Sequence, residues 1–211
     1  MKWINPSFVE PFFPWAIWKG DASRRQVYLT FDDGPHPEYT RAVIDILKEY
    51  QAPATFFVNG KNILQHPGIL HSLIKNGQGI GNHGFSHQKL SGKRAAFIKD
   101  ELNRTNELIG KVTGVPPRFF RPPHGRFDLR FRKFMDQTQM RLVVWSLLTY
   151  DFSDPSPQCL TDRVINHLHP GAILVFHDGL KNTPVMLEAL PGILKEIHQR
   201  GYTFARLEDL V

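Results

Sequence analysis

Short β-forming runs and stretches of helical hydrophobic spacing take turns along this chain. Residues 26–31 are a β-forming run predicting a buried strand, and residues 38–50 place Val43, Ile44, Leu47 and Tyr50 at helical spacing. The scheme then repeats. Strands are predicted at 54–58, 78–82, 118–121, 140–145, 172–176 and 202–205, with helices at 60–65, 67–76, 93–111, 128–138, 157–168 and 185–200. Gly77 marks one helix end, and Gly114 and Pro116 follow another. This alternation predicts a parallel α/β fold of about seven units.

Polar residues recur after nearly every strand: Asp32 and Asp33, Asn59, His83 and His87, Arg121 and His124, Asp151, then His177 and Asp178. In an open sheet only loops at a switch point converge, whereas in a barrel all of them face one mouth. The expectation is therefore a barrel.

Composition narrows the class. With 211 residues, 41% of them hydrophobic and 22% charged, the chain can bury a full core as one domain. A single cysteine, Cys159, excludes an intrachain disulfide framework and is expected as a small buried apolar residue. The formal charge of +6 favours anionic surfaces or polymers, yet Lys and Arg form no run, so nucleic acid is not the expected partner. No apolar stretch is long enough to span a membrane, and Pro6, Glu10, Pro11 and Pro14 break any signal-like N-terminus. A cytoplasmic chain is the default expectation, with cell-envelope association as the alternative. Residues 1–25 form an aromatic-rich segment whose Phe8, Phe12, Phe13, Trp15 and Trp18 are expected to cover one end of the barrel, and residues 26–211 the domain proper.

The chemistry gathers at Thr30-Phe31-Asp32-Asp33-Gly34-Pro35, where a buried strand runs into two carboxylates and a turn. Neighbouring side chains on an extended backbone point to opposite sides, which suggests one acid for a proton and one for a metal. His83 and His87, four apart, are expected on one face of a helical turn, where one carboxylate such as Asp33 would complete a two-histidine site with open positions. The zinc-protease pattern is excluded because no Glu follows His83. Arg121, after an apolar run, is expected to turn inward and hold a carboxylate. His177 ends a run too apolar for an accidental surface histidine, while Asp178, Asp154 and His36 read as loop or turn residues.

These stretches, with Asn82-His83 and Ser86-His87, Arg121-Pro122-Pro123-His124-Gly125, residues 145–152 and Leu174-Val175-Phe176-His177-Asp178, resemble the five ordered motifs of the polysaccharide deacetylases, the NodB-homology domain of carbohydrate esterase family four. The resemblance runs from about Gln26 to the C-terminus. It implies a distorted (β/α) barrel with a divalent metal, usually zinc with cobalt as an alternative, removing acetyl groups from N-acetylated sugars of a chitin-like or peptidoglycan-like polymer. It further implies that Asp32 is the general base, that Asp33, His83 and His87 hold the metal, and that Arg121 orients Asp32. His177 would be the general acid, positioned by Asp151; Leu174 would line the acetyl pocket, and Pro123, His124 and Phe152 would border the sugar.

Two departures stand out. His124 replaces the family's usual aromatic residue, and Phe152 stands where a Trp commonly follows the aspartate, which keeps an apolar wall but loses the indole donor. An O-acetyl esterase, a hydrolase of small amides and a non-catalytic sugar-binding module remain as rival readings. Against the last, base, ligands and acid are present together, and binding alone needs no such set.

Overall fold

The computed structural model describes residues 9–210. Its elements are β1 (Gln26–Asp32), α1 (Tyr39–Glu49), β2 (Thr55–Val58), α2 (Gly60–Gln65), α3 (Pro67–Lys75), β3 (Gly79–Asn82), α4 (Ala95–Thr113), β4 (Phe119–Phe120), α5 (Phe131–Thr138), β5 (Arg141–Leu142), β6 (Leu147–Leu148), α6 (Pro157–Asn166), β7 (Ile173–His177), α7 (Thr183–Gln199) and β8 (Thr203–Ala205). All strand pairings are parallel, in the order β5-β4-β3-β2-β1-β7-β6. The result is a curled, incompletely closed barrel wrapped by helices. β8 pairs with the start of β1, through Gln26 to Tyr28, below the stretch where β2 pairs with Thr30 to Asp32.

Alternation along β1 decides what each side chain does. Val27, Leu29 and Phe31 face out into the helix layer and pack with Val43, Ile44 and Leu47 of α1 and Ile193 and Leu194 of α7. Each such buried side chain contributes about 1.5–3 kcal/mol. Tyr28 faces inward, where Phe57, Phe119, Val143 and Ile173 fill the lower barrel. Thr30 and Asp32 stand above it on the same inward face, so the barrel interior turns from apolar to polar toward the C-terminal ends of the strands, as barrel enzymes require.

The predicted strand at 140–145 resolves differently. β5 ends at Leu142, and the chain crosses directly to β6 at the opposite edge of the sheet with no helix between. Residue 17 spans part of that seam: Ile17 N–H donates to Leu142 O at 2.8 Å and Ile17 O accepts from Val144 N–H at 2.8 Å, while Gly20 N–H donates to Gly171 O at 2.8 Å. Ala16, Ile17 and Trp18 are buried. Phe13, Trp15 and Trp18 pack around Phe127, whereas Phe12 is exposed and Phe8 lies outside the described residues. Cys159, expected in the core, is exposed in the first turn of α6; its amide donates to the capping Ser156 Oγ, and Leu160 beside it takes the buried position.

Candidate active site

At the C-terminal ends of the strands, Asp32 and His177 are Cα partners across β1 and β7, so they stand level and face the same interior. Asp33 does not follow the extended alternation expected for it. Its φ of 76° turns the chain out of β1 and brings the second carboxylate back to the same mouth. That strained turn is pinned because Asp33 O accepts from Asn62 Nδ2 at 2.7 Å and Asn59 Nδ2 at 3.2 Å.

His83 and His87 reach Asp33 from a loop. No helical turn joins them, because Gly84 (φ 79°) and His87 (φ 57°) are left-handed. His83 Nδ1 lies 2.8 Å from Arg121 O; a carbonyl only accepts, so Nδ1 carries the proton and Nε2 presents a lone pair. Nε2 of His83 is 3.5 Å and Nε2 of His87 2.8 Å from Asp33 Oδ1. Asp33 Oδ1 is buried and accepts no hydrogen bond. Two imidazole nitrogens and an unpartnered carboxylate oxygen converging in this way suit a small cation: tetrahedral zinc, with ligands at about 2.1 Å, would separate its donor atoms by about 3.4 Å. Among the described residues these three form the only such cluster. Burial pushes the Asp33 carboxyl up, but the two histidines, when protonated, outweigh it and hold Asp33 well below the usual carboxylate range; burial pulls His87 down, and Asp33 outweighs it and raises that imidazole.

Arg121 is fully buried. Nη1 donates to Asp32 Oδ1 at 2.8 Å and to Thr30 Oγ1 at 2.7 Å, Nη2 donates to Val144 O at 2.7 Å, and the guanidinium lies over Phe57. Burial pulls its pKa down while Asp32 props it up. Oδ1 of Asp32 is thereby occupied and Oδ2 left as the available oxygen. Opposite, His177 Nδ1 donates to Asp151 Oδ1 at 2.8 Å, and Asp151 Oδ2 accepts the backbone N–H of His177 at 2.7 Å. Burial alone would lower the imidazole pKa, but Asp151, reinforced by Asp32 and Asp33, raises it to about 9. Neutral pH therefore finds His177 protonated.

Asp32, Asp33, His83, His87 and His177 share a cavity of about 370 Å³ with His124 and Phe152. Phe152 meets His177 edge-on at 5.4 Å, and His124, itself left-handed at φ 59°, lies 4.6 Å from His87. Two sequence assignments need correction. Leu174 points away into the helix layer, because residues on the face of His177 are Val175 and Ile173; Val175 lines the cavity. Pro123 is buried beneath the rim, and Gly125 and Trp145 border the cavity instead.

Other contributors escaped the sequence reading. Leu148 and Leu180 line the cavity. Glu101 is buried on α4 and accepts from Phe85 N–H, Ser86 N–H and Ser86 Oγ at 2.9, 2.8 and 2.6 Å, fixing the loop between the two histidines. Its signal was a lone acid on the apolar stripe of Ile98, Leu102 and Ile109. Asp178, read as a loop residue, is fully buried against Thr40 Oγ1 and under Gly34, and burial raises it to about 7.

Known proteins share this fold and part of this sequence. A family model described as polysaccharide deacetylase matches residues 19–143, more than half of the chain. The peptidoglycan-N-acetylmuramic acid deacetylase PdaA of Bacillus subtilis is 33% identical over 93% of this chain and 75% of its own. A peptidoglycan-N-acetylglucosamine deacetylase of Bacillus cereus is 29% identical over 93% of each. Among solved structures, the Bc1960 peptidoglycan N-acetylglucosamine deacetylase in complex with a naphthalenyl N-hydroxybenzamide superposes with a TM-score of 0.91 at 29% identity, covering 99% of this chain and 97% of that one. BA3943 of Bacillus anthracis, a CE4 family pseudoenzyme, gives 0.86 at 30% identity, covering 92% and 68%. Sharing their fold, most of their length and a family model over more than half of its own, the chain belongs to the polysaccharide deacetylase family.

Proposed function

We propose that the protein is a zinc-dependent N-deacetylase acting on an acetylated glycan of the peptidoglycan type. One observation carries the reading: a carboxylate held by Arg121, an imidazole held by Asp151 and the Asp33, His83 and His87 cluster all open into one cavity. Because a pseudoenzyme shares this fold, fold alone argues little for turnover, and the set of side chains argues for it.

Asp33, His83 and His87 would hold a divalent cation, which when bound would supply Lewis acidity to a carbonyl and to water. Asp32, oriented through Oδ1 by Arg121, takes the water's proton on Oδ2 as the water attacks the acetyl carbon. His177 delivers the Nε2 proton to the departing sugar amine, and Asp151 stabilises the imidazolium through Nδ1. Leu148, Phe152, Val175 and Leu180 give the acetyl end an apolar wall. Relatives named for peptidoglycan point to substrate at the cell envelope; no helix among the described residues is long and apolar enough to cross a membrane.

The test is acetate release from N-acetylated and matched O-acetylated oligomers, before and after chelation and with zinc or cobalt restored. Release from the N-acetylated set that disappears on chelation and returns with metal supports the proposal. Faster release from O-acetyl substrates would favour the esterase reading, and binding without release on either set a sugar-binding protein.

A further inference from the structure

The fold does to the basic residues what the sequence order does not. Residues 88–94 follow His87, residues 124–133 begin at His124, and the two stretches meet beside the cavity: Gly92 N–H donates to Asp128 Oδ2 at 3.2 Å and Arg130 Nη1 to Lys93 O at 3.0 Å. The first stretch carries Lys89, Lys93 and Arg94, all exposed and with no acid among them. The second adds Arg126, Arg130, Arg132 and Lys133, also exposed, against Asp128 alone. Phe131, Phe134 and Met135 turn the other face of α5 into the core, leaving Arg132 and Lys133 outward. Asp128 is already engaged by Arg130 at 2.8 Å, and among the described residues no ion pair occupies the other six cations.

The whole chain has 26 Lys and Arg against 20 Asp and Glu. These two stretches hold seven of the former and one of the latter, so the remainder is balanced at 19 and 19 and the two adjoining stretches carry the net +6. Exposed like charges on adjoining stretches repel unless an anion joins them, and such charges act on one another and on a ligand over a Debye length of about 8–10 Å. We propose that this surface docks a glycan strand that itself carries carboxylates, holding the flanking sugars while one acetyl group enters the cavity; the inference rests on the deacetylase reading above. The patch begins two residues from cavity-lining His87 and His124, so the anions it meets belong to the strand being processed.

The test uses the full chain and a variant, Lys89→Gln, Lys93→Gln, Arg94→Gln and Arg126→Gln, which spares Arg130 and its pair. Turnover is compared on neutral N-acetylglucosamine oligomers and on solubilised glycan strands bearing a carboxylate on alternate sugars, across rising salt. Binding of the metal-free protein to each polymer is measured in parallel. The variant is expected to lose about tenfold in kcat/KM and in binding on the carboxylated strands while keeping its rate on the neutral oligomers, and salt should reproduce the loss in the unmodified protein. Equal losses on both substrates, or none on either, overturn the proposal. Binding to DNA or polyphosphate as tight as to carboxylated strands overturns it too, in favour of an unselective cationic face. No turnover by the unmodified protein on any acetylated sugar sinks the deacetylase reading, while the binding comparison still decides the docking surface.

Discussion

Asp32 and Asp33 adjoin in sequence, yet the atoms around them differ. Asp32 gives one oxygen to a buried guanidinium, whereas Asp33 aims an unpartnered oxygen at two imidazole nitrogens. Asp32→Asn is therefore expected to keep bound zinc and lose about 10²- to 10⁴-fold in kcat, whereas Asp33→Asn loses metal; elemental analysis beside steady-state kinetics checks both. His177 predicts the pH dependence. Its folded pKa of about 9 lies above the unfolded value of 6.5, so its contribution to stability is fully present below pH 6.5 and fades as pH rises through about 9. Denaturant unfolding of the metal-free protein should show the difference from His177→Gln shrinking across that window, and turnover should decline on the same alkaline side. A difference that grows with pH would refute the assignment.

Turns and loops at the strand ends carry Asp33, His83 and His87, and buried acids pack against them. Glu101 accepts three hydrogen bonds from residues 85 and 86, between His83 and His87. Glu101→Ala would strand two main-chain N–H groups at a cost of about 1–3 kcal/mol each. A lowered melting temperature together with weaker zinc binding is expected; lowered stability with unchanged zinc affinity would show that the loop holds its shape unaided. Asp178 behaves oppositely. Its folded pKa is raised from 3.8 to about 7, so the folded state holds the proton more tightly and stability falls as pH rises from 3.8 to 7. Asp178→Asn, neutral at every pH, should gain stability over the unmodified protein at pH above 7 relative to acid, as read by unfolding free energy against pH.

The whole molecule depends on an incompletely closed barrel. β5 and β6 occupy opposite ends of the strand order, and residue 17 bonds to both sides of Val143 where the chain crosses between them. Ile17→Pro deletes the N–H that Leu142 O accepts and should cost about 1–3 kcal/mol, measured by urea unfolding. An unchanged midpoint would mean that the segment only rests on the wall.

Hydrophobic pattern was enough to place the helices and most strands, because strands buried on both faces read as short β-forming apolar runs while burial repeats every three to four residues on a helix. Motif order was enough to bring Asp32, Asp33, His83, His87, Arg121, Asp151 and His177 forward, since a barrel gathers the ends of its strands at one rim. What periodicity could not supply was phase and handedness. Leu174 and Val175 are alike in chemistry, and only the register against β1 says which faces the cavity. Asp33, His87 and His124 reach the site through left-handed backbone that their residue types do not announce. Glu101, Asp178 and the two basic stretches acquire meaning from contacts between residues 15 to 138 positions apart. Local sequence fixes which groups can do chemistry; only packing decides which of them share water, charge and a common wall.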